Sequence, residues 1–189
     1  PPHLVNAHVI PALATGNSVV IKPSEVTPAV GELYAQCAER AGLPPGVFNL
    51  VQGAGDVGRA LSVHADVDGV LFTGSWKTGR AITEANLDQP HKLLALEMGG
   101  KNVAVVCDDA DLPQSLGAIV QGAFLTAGQR CTATSRLLVV ARVAERFLDA
   151  LVAAARELRP GDPMEPSTTF GPLATREAPV LVVACGMVF

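Results

Sequence analysis

Two patterns of apolar residues alternate along this chain. Short apolar runs predict strands, and apolar residues spaced three or four positions apart predict the helices between them. Short runs rich in valine, isoleucine and leucine predict six strands, at 17–22, 46–52, 68–74, 91–97, 102–107 and 136–141. Apolar residues that recur every three or four positions predict helices, at 27–42, 56–65, 77–87, 111–126 and 144–159. Strands that alternate with helices predict an α/β fold with a mostly parallel, doubly wound sheet.

Helix-boundary signals support the first of these helices. Thr27 is a candidate N-cap, and Pro28 occupies the first helical position, where its missing N–H is not needed. Gly42 follows the last periodic residue and is typical of a helix stop. The segment 27–42 is therefore predicted as one helix with both ends marked.

Composition and charge limit the kinds of molecule that the chain is expected to bind. The chain has 189 residues, of which 49% are hydrophobic, and this is ample material for a buried core. Its formal net charge is −4, and it lacks clusters of basic residues interleaved with aromatics. This balance argues against a nucleic-acid or anionic-membrane surface. No apolar run approaches the roughly 18–20 residues that a membrane-spanning helix needs.

The cysteines and histidines do not form a metal-binding pattern. None of the four cysteines pairs with another, or with a histidine, at the spacing of a structural zinc site. We therefore expect no metal, free thiols and a reducing, cytoplasmic compartment. The cysteines are Cys37, Cys107, Cys131 and Cys185.

Two glycine-containing turns are candidates for binding phosphate. The segment GAGDVG (53–58) follows a strand and matches a dinucleotide fingerprint, but the acidic residue expected at the end of the next strand is missing. It is either a pyrophosphate site or a glycine turn required by packing. The segment TGSWKTG (73–79) joins a strand to a helix start, where free N–H groups attract anions. Its alternative is a plain turn capped by Ser75.

Several other residues could carry chemistry. Glu97 ends an apolar strand, where ligand crevices of open α/β sheets form, so it is a candidate general base or an ordinary exposed carboxylate. Lys22 and Glu25 follow another strand and could hold ribose hydroxyls or form a solvated pair. Cys131, in AGQRCTATSR (127–136), is a catalytic nucleophile or a small buried hydrophobe.

Taken together, four segments resemble the aldehyde dehydrogenase superfamily. The segments PALATGNSVVIKPSEVTP, FTGSWKTG, LEMGGKN and GQRCTATSR resemble its successive signature blocks, in the family's order and at similar spacing. The resemblance extends from Pro1 to about Leu173. It implies a Rossmann-like cofactor domain over 1–99 and the start of a second α/β, catalytic domain over 100–189, with an atypical tail from about residue 174.

The resemblance also implies roles for individual residues. Cys131 would be the nucleophile that forms a thiohemiacetal and then a thioester, with its own backbone N–H as one oxyanion donor, and Glu97 would activate the hydrolytic water. The cofactor would be NAD, because the Glu25 carboxylate would repel the 2′-phosphate of NADP. The implied cofactor-binding residues are Lys22, Glu25, Gly74, Ser75, Trp76, Lys77, Thr78 and Gly79.

The opening segment PPHLVNAHVIPAL points to one branch of that superfamily. Together with FNLVQG, ALEMGG and GQRCT, it resembles the branch that oxidises N-succinylglutamate 5-semialdehyde in bacterial arginine breakdown. His3, Asn6 and His8 are the most particular part of this match, and His3, Asn6 and Arg130 are candidates for the substrate tunnel. The alternatives are another NAD(P)-dependent aldehyde dehydrogenase and a catalytically incomplete remnant.

Some parts of the family pattern fall outside the chain. The second oxyanion donor, an asparagine, would lie two residues before Pro1, and the glutamate that grips the nicotinamide ribose belongs to a later block. The segment 178–189 matches nothing in the family. We therefore expect the chain to be the middle of a longer, homo-oligomeric enzyme that acts on a small aldehyde, and to be weakly active or inactive by itself.

Overall fold

The structure consists of alternating helices and strands in two units. A computed structural model describes residues 3–175 and 184–188 of the chain. One unit spans Pro1–Met98 and the other spans Gly99–Phe189. The division falls immediately after the strand that carries Glu97.

In the first unit, helices and strands follow one another from residue 3 to residue 98. The elements are α1 (His3–Ala14), β1 (Val19–Ile21), α2 (Pro28–Arg40), β2 (Phe48–Leu50), α3 (Gly55–Val63), β3 (Gly69–Gly74), α4 (Trp76–Ala85) and β4 (Leu93–Met98). The four strands correspond to the first four predicted from the apolar runs.

The strands of this unit pair in parallel, as the alternation of helix and strand predicts. β1 pairs with β2, and β3 pairs with β4, with Thr73 directly opposite Glu97. Among the described residues the hydrogen bonds form these two short sheets rather than one continuous ladder. The predicted α/β class with parallel strands is confirmed.

Helix α2 begins and ends where its boundary signals predict. Pro28 is its first residue and Thr27 occupies the N-cap position, although the Thr27 side chain makes no capping hydrogen bond. Gly42 adopts a φ of 74°, and its N–H donates to the Glu39 carbonyl. A residue just past a helix commonly takes this left-handed conformation, which glycine adopts without a steric penalty.

Helix α1 is absent from the elements that the sequence pattern predicts. In its sequence, HLVNAHVIPALA, the three polar residues do not gather on one face, and Pro11 lies in the interior. Both features prevent the prediction of a helix from the sequence. There is no apolar stripe opposite a polar face, and proline usually ends a helix. Only Val9 is buried.

A buried lysine ties the start of β4 to the end of α3. Lys92 is 6% exposed, and its Nζ donates to the carbonyls of Ser62 at 3.0 Å and His64 at 2.9 Å. Ser62 lies in the last turn of α3 and His64 is its C-cap, where the backbone has unpaired acceptors and a partial negative charge. The lysine therefore caps the C-terminal end of α3 from the residue that precedes β4.

The second unit is built around one parallel sheet. Its elements are β5 (Asn102–Val106), α5 (Leu112–Phe124), a 3₁₀ turn (Leu125–Gly128), β6 (Thr134–Val140), α6 (Ala141–Arg156) and β7 (Ala184–Val188). The strand order is β5–β6–β7, with both pairs parallel.

The core of this unit lies between the sheet and helices α5 and α6. Phe147, Leu137, Val106 and Val139 are each 1% exposed. Burying a valine, leucine or phenylalanine side chain contributes about 1.5–3 kcal/mol. Helix α6 begins at Ala141, three residues before the predicted start.

Part of the tail for which the sequence predicted no element forms strand β7. Residues Ala184–Val188 pair in parallel with Arg136–Val140 of β6. The rest of the segment 178–189 lies outside the described residues. The pairing joins two strands that lie far apart in the sequence, so no local pattern predicted it.

Candidate active site

The turn between β3 and α4 presents a helix start capped by Ser75. The Ser75 Oγ accepts a hydrogen bond from the Thr78 N–H at 3.2 Å and lies 3.0 Å from the Thr78 Oγ1. The other N–H groups of the first helical turn have no partner within a helix, so they attract anions. The capped turn and the anion site are therefore compatible, although the sequence presented them as alternatives.

Packing explains both glycines of this turn. A Cβ on Gly79 would overlap the Met98 Sδ, and a Cβ on Gly74 would overlap the Phe72 ring. Trp76, in contrast, is 64% exposed. The glycines therefore let α4 pack closely on its strands, while exposed side chains of the turn remain available to a ligand.

Lys22 and Glu25 form a salt bridge in which only the carboxylate is well exposed. The Lys22 side chain is 17% exposed, and its Nζ donates to the carbonyls of Pro23 at 2.7 Å and Gly53 at 2.8 Å. Glu25 is 60% exposed, and its Oε2 lies 3.7 Å from the same Nζ. The lysine thus joins the end of β1 to the glycine turn, and the carboxylate of Glu25 points to solvent.

The glycine turn at 53–58 has a packing origin at its first position. A Cβ on Gly53 would overlap the Val57 side chain, so the turn tolerates only glycine there. Its carbonyl is held by Lys22, and α3 begins two residues later. Of the two alternatives for this motif, the structure favours the packing role at Gly53.

Glu97 lies near the carboxyl end of β4, on an exposed position. Its register partner on β3 is Thr73, whose Oγ1 is 2.7 Å from the His8 Nε2 of α1. Register partners on neighbouring strands project to the same face of a sheet. The structure therefore brings Glu97, Thr73 and His8 to one end of the β3–β4 pair, and the link from His8 to Thr73 could not be predicted from the sequence.

Cys131 is an exposed, free thiol in the second unit. It follows a turn in which Thr126 and Ala127 have φ values of 57° and 53° and Gly128 has a φ of 66°. Left-handed non-glycine residues cost about 1–3 kcal/mol each and persist only where surrounding contacts impose them. The exposure excludes the alternative that Cys131 is a small hydrophobe buried in the core.

Hydrogen bonds hold the segment around Cys131, which we call the thiol loop (residues 129–133). The Asn102 Nδ2 donates to the carbonyls of Cys131 at 2.7 Å and Ala133 at 3.1 Å. The Gln129 Oε1 accepts from the Ala174 N–H at 2.9 Å. The loop is thus fastened at both ends by side-chain hydrogen bonds, and Asn102 is a residue that sequence reasoning did not single out.

An apolar groove of about 330 Å³ lies next to the start of this loop. Cys131 is not among its lining residues, but the segment FGPL (170–173) is. The lining residues are Ala123, Phe124, Ala127, Pro160, Phe170, Gly171, Pro172 and Leu173.

The described residues show neither a metal centre nor a membrane span. Within residues 3–175 and 184–188, no three His, Cys, Asp or Glu side chains are grouped so that they could hold a metal ion. Nor is any helix in that part of the chain long and apolar enough to cross a membrane.

Comparison with known protein families shows which family the chain belongs to. The model of the aldehyde dehydrogenase family matches residues 1–182. The chain belongs to this family. The match confirms the resemblance seen in the signature blocks, and it covers both the β3–α4 turn and the thiol loop.

Individual aldehyde dehydrogenases are similar over nearly the whole chain. N-succinylglutamate 5-semialdehyde dehydrogenases of Shigella flexneri serotype 5b (strain 8401) and Escherichia coli (strain SE11) are each 46% identical over 185 residues. The alignments cover 97% of this chain and 38% of each relative. The chain therefore spans less than half the length of these curated relatives.

Solved aldehyde dehydrogenases share the fold. Gamma-glutamyl-gamma-aminobutyraldehyde dehydrogenase from Burkholderia cenocepacia J2315 is 44% identical, with a TM-score of 0.83, over 87% of this chain and 34% of that one. Betaine aldehyde dehydrogenase from Staphylococcus aureus, solved in complex with NAD+, is 38% identical, with a TM-score of 0.86, over 90% of this chain and 34% of that one. The Rossmann-like class predicted for the chain is confirmed.

Proposed function

We propose that this chain is part of an NAD-dependent enzyme that oxidises N-succinylglutamate 5-semialdehyde to N-succinylglutamate. The observation that carries the proposal is the 46% identity, over 97% of the chain, to enzymes of that name. The exposed thiol of Cys131 on a fastened loop supports it, because a nucleophile must be accessible and held in place.

The groups at the β3–α4 turn fit a dinucleotide. Free N–H groups at the start of α4, with the hydroxyls of Ser75 and Thr78 and the ammonium of Lys77, suit a diphosphate. The exposed carboxylate of Glu25 suits ribose hydroxyls. Gly74, Trp76 and Gly79 complete the turn, and Lys22 holds the neighbouring glycine loop. NAD, when bound, accepts the hydride that the aldehyde loses.

Cys131 and Glu97 would perform the remaining steps. The Cys131 thiolate adds to the aldehyde carbon and forms a thiohemiacetal, whose oxyanion the Cys131 N–H stabilises. Loss of hydride leaves a thioester on the cysteine. Glu97 then takes a proton from water, the water attacks the thioester, and the carboxylic acid leaves as the thiol is restored.

A second candidate is a dehydrogenase for a different semialdehyde. The gamma-glutamyl-gamma-aminobutyraldehyde dehydrogenase structure is 44% identical to the chain, close to the 46% of the succinylglutamate enzymes. Both substrates carry an aldehyde on an acylated, acidic chain. The two candidates therefore differ in the contacts to the far end of the substrate, for which we propose His3, Asn6 and Arg130.

Substrate comparison tests the proposal directly. In the enzyme that contains this chain, we expect kcat/KM for N-succinylglutamate 5-semialdehyde to exceed that for γ-glutamyl-γ-aminobutyraldehyde by at least about tenfold. A site that hydrogen-bonds a particular polar group discriminates strongly against analogues without it. Betaine aldehyde, which is cationic, serves as the control and should react most slowly. A preference for the γ-glutamyl substrate would establish the second candidate instead.

The exposed Glu25 carboxylate predicts a preference for NAD over NADP. We expect Glu25→Gln to raise kcat/KM with NADP, relative to NAD, by about tenfold, equivalent to about 1.4 kcal/mol of relieved repulsion. Glu39→Gln, which removes the same charge at an exposed position of α2, is the matched control and should leave the ratio unchanged. Equal use of both cofactors by the unaltered enzyme would contradict the prediction.

Oligomeric state and compartment complete the proposal. Leu93 and Val105, on strands of the two units, are each 63% exposed. Apolar side chains exposed on a sheet face are typical of surfaces that other parts of a protein or another copy cover. We infer a homo-oligomeric enzyme, which size-exclusion chromatography with light scattering would test. The free thiols of Cys37, Cys107 and Cys131 suit a reducing, cytoplasmic compartment.

A further inference from the structure

One side chain in the second unit controls the backbone of the thiol loop. Asn102 begins β5, and its single carboxamide nitrogen donates to the carbonyls of Cys131 and Ala133, at 2.7 and 3.1 Å. The Ala133 N–H in turn donates to the Arg130 carbonyl at 3.0 Å. One amide therefore fastens a tight turn on both sides of Thr132.

An irregularity in the sheet aims this amide at the loop. Asn102 pairs with Thr134, but Val103 pairs with Arg136, so Ser135 is an extra residue on β6. Bulges of this kind redirect the neighbouring side chains and are frequent beside active sites. The Ser135 Oγ also donates to the Asn102 carbonyl, at 3.4 Å. The sheet thus holds Asn102 in place while its side chain reaches the loop.

The bond to the Cys131 carbonyl restrains the nucleophile itself. A trans peptide is planar, so holding this carbonyl fixes the peptide plane that follows Cys131 and, with it, the ψ angle of the cysteine. That angle and χ1 of the cysteine together set the direction of the thiol, so the hydrogen bond restrains one of the rotations that could misplace it. A misplacement of a reacting group by about 1 Å can cost a hundredfold in rate.

We propose that Asn102 is a positioning residue that orients Cys131 for attack on the aldehyde. The inference rests on the proposed function, in which Cys131 is the nucleophile. Asn102 touches neither substrate nor cofactor in this proposal. It acts through the two carbonyls, and it must be a donor, because carbonyl oxygens only accept hydrogen bonds.

Two substitutions separate the donor from the shape of the side chain. Asn102→Asp keeps the shape but replaces the donor by a charged acceptor that repels both carbonyls. Asn102→Leu removes the donor without adding charge. If the aspartate variant fails to fold, the leucine variant still tests the proposal.

The chain contains a matched control in its first unit. The Asn49 Nδ2 donates to the carbonyls of Val19 at 3.2 Å and Gly46 at 2.8 Å, the same bonding pattern as that of Asn102. Asn49→Asp and Asn49→Leu therefore impose the same loss of two hydrogen bonds away from the thiol loop. Any effect on stability alone should appear in both pairs of variants.

The experiment measures turnover and thiol reactivity in the enzyme that contains this chain. We expect both Asn102 variants to lower kcat by about 10- to 100-fold, with KM for NAD changed less than twofold. Iodoacetamide labelling, followed peptide by peptide, should slow at least fivefold at Cys131 in Asn102→Asp, because a nearby negative charge disfavours the thiolate. Cys37 and Cys107, also exposed and free, should keep their rates.

The outcomes distinguish failure of this proposal from failure of the proposed function. If the Asn102 variants lose no more turnover and Cys131 reactivity than the Asn49 variants, Asn102 is structural only and the proposal is wrong. If Cys131→Ser retains turnover, the proposed nucleophile is wrong, whatever the Asn102 variants do. Loss of kcat at Asn102 alone, with melting temperatures matched to the Asn49 variants, supports the positioning role.

Discussion

Replacing Cys131 by serine is expected to reduce aldehyde oxidation by on the order of 10³-fold or more, the scale seen when a catalytic nucleophile is removed. A serine hydroxyl keeps the size of the side chain but ionises far less readily than a thiol, so it attacks the aldehyde poorly. NAD affinity should change less than twofold, because Cys131 is not among the proposed cofactor-binding residues. Steady-state NADH formation and cofactor titration measure the two effects.

The same chain supplies controls for this substitution. Cys37 and Cys107 are also exposed free thiols, so Cys37→Ser and Cys107→Ser test for a general loss of cysteine. Both should retain at least about half of the activity, since exposed surface substitutions rarely change stability by more than about 0.5 kcal/mol. Comparable losses in all three variants, or an active Cys131→Ser enzyme, would exclude Cys131 as the nucleophile.

Replacing Glu97 by glutamine is expected to separate the two halves of the reaction. The amide cannot take a proton from water, so hydrolysis of the thioester should slow by about 10²- to 10⁴-fold, the usual contribution of a general base. Acylation should proceed once on each Cys131. The expected result is a rapid burst of about one NADH per active site, followed by a very slow steady state.

Two measurements check the Glu97 prediction. Stopped-flow absorbance gives the burst amplitude, and mass spectrometry of the quenched enzyme should find the acyl group on the Cys131 peptide. Glu32→Gln, which neutralises a carboxylate on the exposed face of α2, is the control and should turn over normally. A normal steady-state rate in Glu97→Gln contradicts its role in hydrolysis, and loss of the burst assigns it to deprotonation of the thiol instead.

Much of the fold could be predicted from the sequence because local patterns carry it. The six strands read from apolar runs are all present, and the ends of α2 follow from Pro28 and Gly42. Helix α1 was missed because it has no polar face, and strand β7 was missed although it too lies in an apolar run. Hydrophobic periodicity shows which face of a segment packs against a core. It gives no helix signal where apolar residues lie on every face.

The candidate site, like the fold, could be predicted from the sequence only in part. The blocks that contain Cys131, Glu97 and the β3–α4 turn are recognisable because their residue types and order carry the family resemblance. The roles assigned to those residues remain predictions. The link from His8 to Thr73 spans 65 positions, and no local pattern in the sequence indicates it.

The sequence by itself determined the α/β class, the order of most helices and strands, and the family, since each depends on residue types and on their spacing along the chain. Only the tertiary structure decided that Lys22 holds the Gly53 carbonyl, that Lys92 caps α3 and that Asn102 fastens the thiol loop. Each of these contacts joins a side chain to a backbone carbonyl about 30 positions away. Every residue offers such a carbonyl, so sequence carries no sign of which one will be chosen until the chain has folded.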